Sequence, residues 1–130
     1  MIVVDASVVV DVLLDPEGSP ELLPRLFGPR ASLHAPQLLD LEVLQVFRRL
    51  ERRRILSPAR AEAGVQALLD LPVTRYPHLA LASRIWDLRG GLTAYDAAYV
   101  ALAEALDAPL LTRDAALASV RGHRARVEVI

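Results

Sequence analysis

Apolar and polar positions alternate in two rhythms along this chain. Short apolar runs of strand length are spaced by longer segments with helical periodicity. The strand candidates are Ile2–Asp5, Ser32–Ala35, Val73–Tyr76, Leu110–Thr112 and Arg126–Ile130. Between them the pattern predicts helices over Ser7–Leu14, Ser19–Phe27, Pro36–Arg53, Pro58–Leu71, Pro77–Arg89, Thr93–Leu106 and Asp114–Val120. Ser19 reads as a cap with Pro20 at the first helical position, and Ser57-Pro58 repeats that signal. Gly90-Gly91 interrupts the chain between two of these helices. Strands separated by helices predict an α/β fold: a three-layer sandwich whose mainly parallel central sheet, of about five strands, is flanked by helices.

Composition narrows the picture. With 130 residues, 53% of them hydrophobic, the expectation is a single domain over residues 1–130 with a substantial core. No apolar run reaches the roughly 18 residues of a membrane span, and no basic-then-apolar leader opens the chain. A cytoplasmic protein is expected. There is no cysteine, which removes thiol catalysis and cysteine-ligated zinc or iron–sulfur centres. All 15 basic residues are arginine, so no Walker-type or Schiff-base lysine exists. A phospho-receiver domain and a dehalogenase-type phosphatase are disfavoured for the same reason. The net charge of −1 makes no global case for nucleic-acid binding, which leaves any such case to local arginine clusters.

The candidate chemistry lies in four carboxylates. Asp5 ends the apolar run of "MIVVDASVVV", and Asp114 follows "PLLTRD" in the same way. In a parallel sheet both arrive at the carboxyl edge, where ligands of open α/β folds collect. Glu42 lies on the apolar face of "PQLLDLEVLQVFRRLERR", one turn after Leu38 and Leu39. Asp96 sits in the first turn of "TAYDAAYVALAEAL", sharing a face with Tyr99, Val100 and Ala103. Taken singly, helix capping explains Asp5 and Asp114, and Thr93 with Asp96 forms a T-x-x-D capping pattern. Capping does not explain an inward glutamate in a helix interior, nor acids recurring at one edge. Crowded carboxylates repel unless protonated or neutralised by a cation. An all-oxygen donor set suits Mg²⁺ or Mn²⁺, and such ions serve phosphodiester hydrolysis.

"MIVVDASVVV", the inward Glu42, "LTAYDAAYVALAEAL" and "PLLTRDAALA" together resemble a PIN domain, and more narrowly a VapC-type toxin of a type II toxin–antitoxin system. The resemblance spans nearly the whole chain. It implies a metal-dependent ribonuclease with Asp5, Glu42, Asp96 and Asp114 as its catalytic and metal-binding acids. Asp5, Asp96 and Asp114 would hold the ion, with Glu42 as a further ligand or as orienter of the attacking water. Ser7 and Thr112 match hydroxyl residues that support the cluster. A small VapB-type antitoxin and a second copy of the chain are the implied partners beside RNA. Many relatives carry another acid shortly after the position of Asp114; here Ala115, Ala116 and Leu117 stand there, which counts against a two-metal arrangement. The alternative is a PIN-like module that binds RNA or protein without cutting.

Arg113, between Thr112 and Asp114, is the candidate phosphate contact. Arg48, Arg49, Arg52, Arg53 and Arg54 read first as solvated surface near a helix end and second as phosphate contacts. His34, His78 and His123 share no ligand spacing and receive no role.

Overall fold

The computed structural model describes residues 1–130. Five strands form one sheet: β1 (Ile2–Val4), β2 (Leu33–Pro36), β3 (Val73–Tyr76), β4 (Leu110–Thr112) and β5 (Val127–Val129). Their spatial order is β3-β2-β1-β4-β5, and every neighbouring pair is parallel. Val3 pairs with both His34 and Leu110, so β1 is the central strand. Its Val3 and Val4 are fully buried, as expected for a strand covered on both faces.

Seven helices connect the strands: α1 (Ala6–Leu14), α2 (Leu22–Phe27), α3 (Leu38–Arg52), α4 (Pro58–Asp70), α5 (Ala82–Asp87), α6 (Ala94–Leu106) and α7 (Ala115–Ser119). The connections β1–β2 and β2–β3 step one way along the sheet, whereas β3–β4 steps back across it. Right-handed crossovers therefore place α1, α3 and α4 on one face and α5 and α6 on the other. Packing agrees: α1, α3 and α4 touch one another, while α5 packs on α6 and α6 lies along β1, β2 and β4. In α6 every residue from Ala97 to Ala103 is buried, and the four alanines of that stretch let the helix lie close to the sheet. The expected α/β sandwich is observed, with a sheet that is entirely rather than mainly parallel.

Three expectations are corrected in detail. The second helix begins at Leu22, and its cap position, Glu21, makes no side-chain capping bond. Ser19 does not cap it; its hydroxyl accepts a hydrogen bond from Arg113 instead. Pro36 ends β2 rather than opening α3, since it pairs with Tyr76 across the sheet. The segment predicted as one helix from Pro77 is a 3₁₀ turn at Leu79–Leu81 followed by the six-residue α5. No residue of either piece is fully buried; Leu81 and Ile85 pack partly against the core, with the buried Leu88 just beyond α5. His34 is buried between the Ser32 hydroxyl at 2.9 Å and the Tyr76 hydroxyl at 2.7 Å, a core role. No helix is long and apolar enough to cross a membrane.

Candidate active site

Because β2 and β4 flank β1 and the chain leaves them in opposite directions, the order of the sheet reverses between β1 and β4. A crevice at the carboxyl edge follows from that reversal. Asp5 stands there as the N-cap of α1, 8% exposed, with one oxygen for each of two tasks. Oδ1 accepts from the Ala6 amide at 2.8 Å, while Oδ2 accepts from the Ser7 hydroxyl at 2.7 Å and the Thr112 hydroxyl at 2.8 Å. The direction of these last two bonds is set by their surroundings. Ser7 Oγ accepts the Arg113 amide at 3.0 Å, and Thr112 Oγ1 accepts the Asp114 amide at 3.0 Å. Each hydroxyl has a single proton, which is left to point at Asp5. The β1–α1 and β4–α7 turns are thereby tied through one carboxylate.

Glu42 projects from the second turn of α3, half-buried, and accepts a hydrogen bond from the Tyr99 hydroxyl at 2.7 Å on Oε1. Burial pushes its carboxyl above the ordinary value; the Tyr99 bond opposes this, and the charges of Asp5 and Asp96 add to the rise. Asp96 lies in the first turn of α6, whose cap is Thr93, with its amide donating to the Thr93 hydroxyl at 3.2 Å. Its carboxyl is also raised, first by burial and then by Asp5 and Asp114. Asp114 caps α7, accepting the Ala116 amide at 2.9 Å, and is the exposed member of the four. Two strand ends and two helices on opposite faces thus bring four acids within electrostatic reach.

Tyr99 was not singled out from the sequence as a partner of Glu42. Its position one turn beyond Asp96, on the same face, was the available signal. It is fully buried, and its hydroxyl proton is held firmly by burial and by Glu42. Arg113 occupies the expected edge, but its guanidinium donates to Asp11 at 2.7 Å and to the Ser19 hydroxyl at 2.7 Å. It braces α1 and the loop after it.

The donor set suits a hard divalent cation: carboxylates and hydroxyls, with two acids raised first by burial and further by neighbouring carboxylates, a charge a cation would offset. No three acidic side chains draw close enough for all to ligate one ion directly. Asp5 is held by its hydrogen bonds, Glu42 by Tyr99 and Asp114 by its own helix. One or two direct carboxylates with waters completing the shell is the habit of Mg²⁺-like ions, and these residues fit it.

Fold and site together define a class: an all-parallel α/β domain with an acidic crevice at its topological switch. The family model described as "PIN domain" matches residues 2–122. Among curated proteins, ribonuclease VapC9 of Mycobacterium tuberculosis is 40% identical over 130 residues, covering 100% of this chain and 98% of that protein. Ribonuclease VapC1 of the same species is 43% identical over 129 residues, covering 98% and 96%. Among solved structures, that of VapBC2 from Rickettsia felis bound to a promoter DNA fragment superposes with a TM-score of 0.73 at 12% identity, covering 99% of this chain and 98% of its counterpart. This chain belongs to the PIN-domain family and, within it, to the VapC ribonucleases.

Proposed function

We propose that this chain is an endoribonuclease, the toxin of a VapBC-type toxin–antitoxin pair, which hydrolyses RNA phosphodiester bonds in the crevice above β1 and β4. The observation that carries the reading is the Asp5 carboxylate, oriented by two hydroxyls whose protons have no other destination, beside Glu42 and Asp96, whose carboxyls are raised by burial and then by neighbouring acids, Asp5 among them. A carboxylate that only capped α1 would need neither hydroxyl. Divalent-metal dependence is general among PIN-domain ribonucleases, and the oxygen donors here favour Mg²⁺, with Mn²⁺ as substitute.

In this reading Asp5, Asp96 and Asp114 hold the ion directly or through water. When bound, the ion supplies charge neutralisation and Lewis-acid activation at the phosphate. Ser7 and Thr112 fix the Asp5 rotamer, and thereby the oxygen offered to the crevice. Tyr99 clamps Glu42 through Oε1 and leaves Oε2 to orient the attacking water. Its raised carboxyl makes Glu42 a stronger base than an ordinary glutamate once ionised. Arg113 contributes to substrate binding only with the part of its guanidinium that Asp11 and Ser19 do not hold.

A VapB-type antitoxin is the partner, a homodimer the assembly, and the cytoplasm, where the RNA is, the place of action. The test is induced expression. Growth should stop with the wild-type chain, continue with Asp5→Asn or Asp114→Asn, and recover when the short adjacent reading frame is co-expressed. Arrest that persists in both acid variants would contradict the reading.

A further inference from the structure

The far end of α3 carries a basic cluster that the fold does not use. Arg48, Arg49, Arg52, Arg53 and Arg54 are all exposed, and none forms an ion pair or a side-chain hydrogen bond. Four arginines elsewhere are engaged by the fold: Arg25, Arg75, Arg84 and Arg113 pair with Glu128, Asp40, Glu104 and Asp11. The cluster also works against its own helix. Arg48 with Arg52, and Arg49 with Arg53, are like charges one turn apart, an arrangement that destabilises helices. Arg54 has a left-handed backbone (φ 58°) just past the helix end, the position where glycine is least strained. Attraction to the helix dipole accounts for a cation or two in the last turn, not for five in this arrangement.

Helical geometry links the cluster to the crevice. At 3.6 residues per turn, Arg49 and Arg53 fall within about 20° of the azimuth of Glu42 on α3. They lie about 10 and 16 Å further along the axis. Between Glu42 and Arg49 stand the exposed Gln45, about 60° to one side, and the partly buried Val46, about 40° to the other. One stripe of the helix thus runs from the acid that faces the proposed cleavage site to guanidinium groups with no partner in this chain. A strand with its scissile phosphate in the crevice would find its next phosphates within reach of such a stripe.

We propose that Arg49 and Arg53, supported by Arg48, Arg52 and Arg54, form a phosphate-binding track that holds the RNA strand a few nucleotides from the bond cut beside Glu42. This rests on the ribonuclease reading given above. An acidic segment of a protein partner is the competing occupant, but the alignment with Glu42 favours the strand whose phosphate the crevice receives.

The experiment measures binding of a fluorescein-labelled single-stranded RNA, long enough to reach the helix tip, to the full chain carrying Asp96→Asn so that the strand stays intact. Arg49→Gln with Arg53→Gln should weaken binding roughly tenfold and lower the slope of log affinity against log salt by about 1.4, two phosphate contacts' worth. Gln keeps helix propensity close to that of Arg, and circular dichroism checks the fold. The same charge loss through Arg30→Gln with Arg121→Gln, exposed positions away from α3, should leave affinity and slope unchanged. Equal affinity and slope in the α3 variant and its parent would overturn the track. Loss of antitoxin binding with RNA binding intact would overturn it in favour of the protein partner. Failure of the wild-type chain to cut RNA would instead sink the ribonuclease reading, and an arginine-dependent salt slope would then still be read separately.

Discussion

Thr112 is the smallest piece of the site with the most dependents. Its single hydroxyl donates to Asp5 and accepts the Asp114 amide in a place without solvent. Thr112→Val keeps the shape, removes one bond from Asp5 and strands a backbone donor. It should cost about 1–3 kcal/mol in urea unfolding and lower cleavage about 10- to 100-fold. Unchanged stability with full cleavage would show the hydroxyl to be incidental. Tyr99 acts through Glu42, and its removal has a sign. The bond it donates holds the Glu42 carboxyl down against burial, so Tyr99→Phe raises that carboxyl further. The acid limb of the pH–rate profile should move to higher pH; a limb that stays in place would free Tyr99 of any positioning role. The four acids were legible in the sequence because strand ends and helix faces follow from periodicity. The bonds that orient them were not, since Asp5 meets Thr112 across 107 positions and Glu42 meets Tyr99 across 57.

Elements show the same division between local and tertiary causes. β3 and β4 fall where the apolar pattern put them, and Ser57 caps α4 by accepting the Arg60 amide, because the cause of each is local. The 77–89 segment is a 3₁₀ turn followed by a short helix, although Leu81, Ile85 and Leu88 do face the core, and the apolar pattern alone carried no sign of that break. Between α5, α6 and the loop before β5, Glu104 takes both ends of the Arg84 guanidinium, at 2.7 and 2.9 Å, and the Arg124 amide at 2.7 Å. The Arg84 bond brings the Glu104 carboxyl from 4.5 down to about 2. A lowered acid stabilises the fold in full above its unfolded value and loses that contribution as pH falls through the folded one. Stability from this clasp should therefore be complete above about pH 4.5 and fade toward pH 2. Glu104→Gln should cost about 1–2 kcal/mol at neutral pH, discounted for the partly exposed Arg84, and flatten that acid limb. An acid unfolding curve identical to wild type would contradict the clasp.

At the scale of the molecule, parallel strands were foreseeable from the strand–helix alternation, but the order β3-β2-β1-β4-β5 was not. That order creates the crevice, because it places the ends of β1 and β4 side by side. We infer that residues 1–130 unfold as one unit, since a single cluster of 28 buried residues spans strands and helices from both faces. Leu41, Trp86 and Tyr95, at 71, 66 and 66% exposure, line an apolar groove near Asp96, and in the homodimer proposed above this would be the face to bury. Trp86→Glu should shift the purified protein to monomer by light scattering, and an unshifted mass would remove that groove from the dimer. The central claim is that the acids at the switch point cut RNA with a divalent ion. The direct measurement incubates purified chain with a panel of RNAs in Mg²⁺, in Mn²⁺ and in EDTA, with Asp96→Asn in parallel. Cleavage with either ion, none in EDTA and none by the variant is the predicted result. Cleavage that survives EDTA, or that Asp96→Asn retains in full, would contradict it.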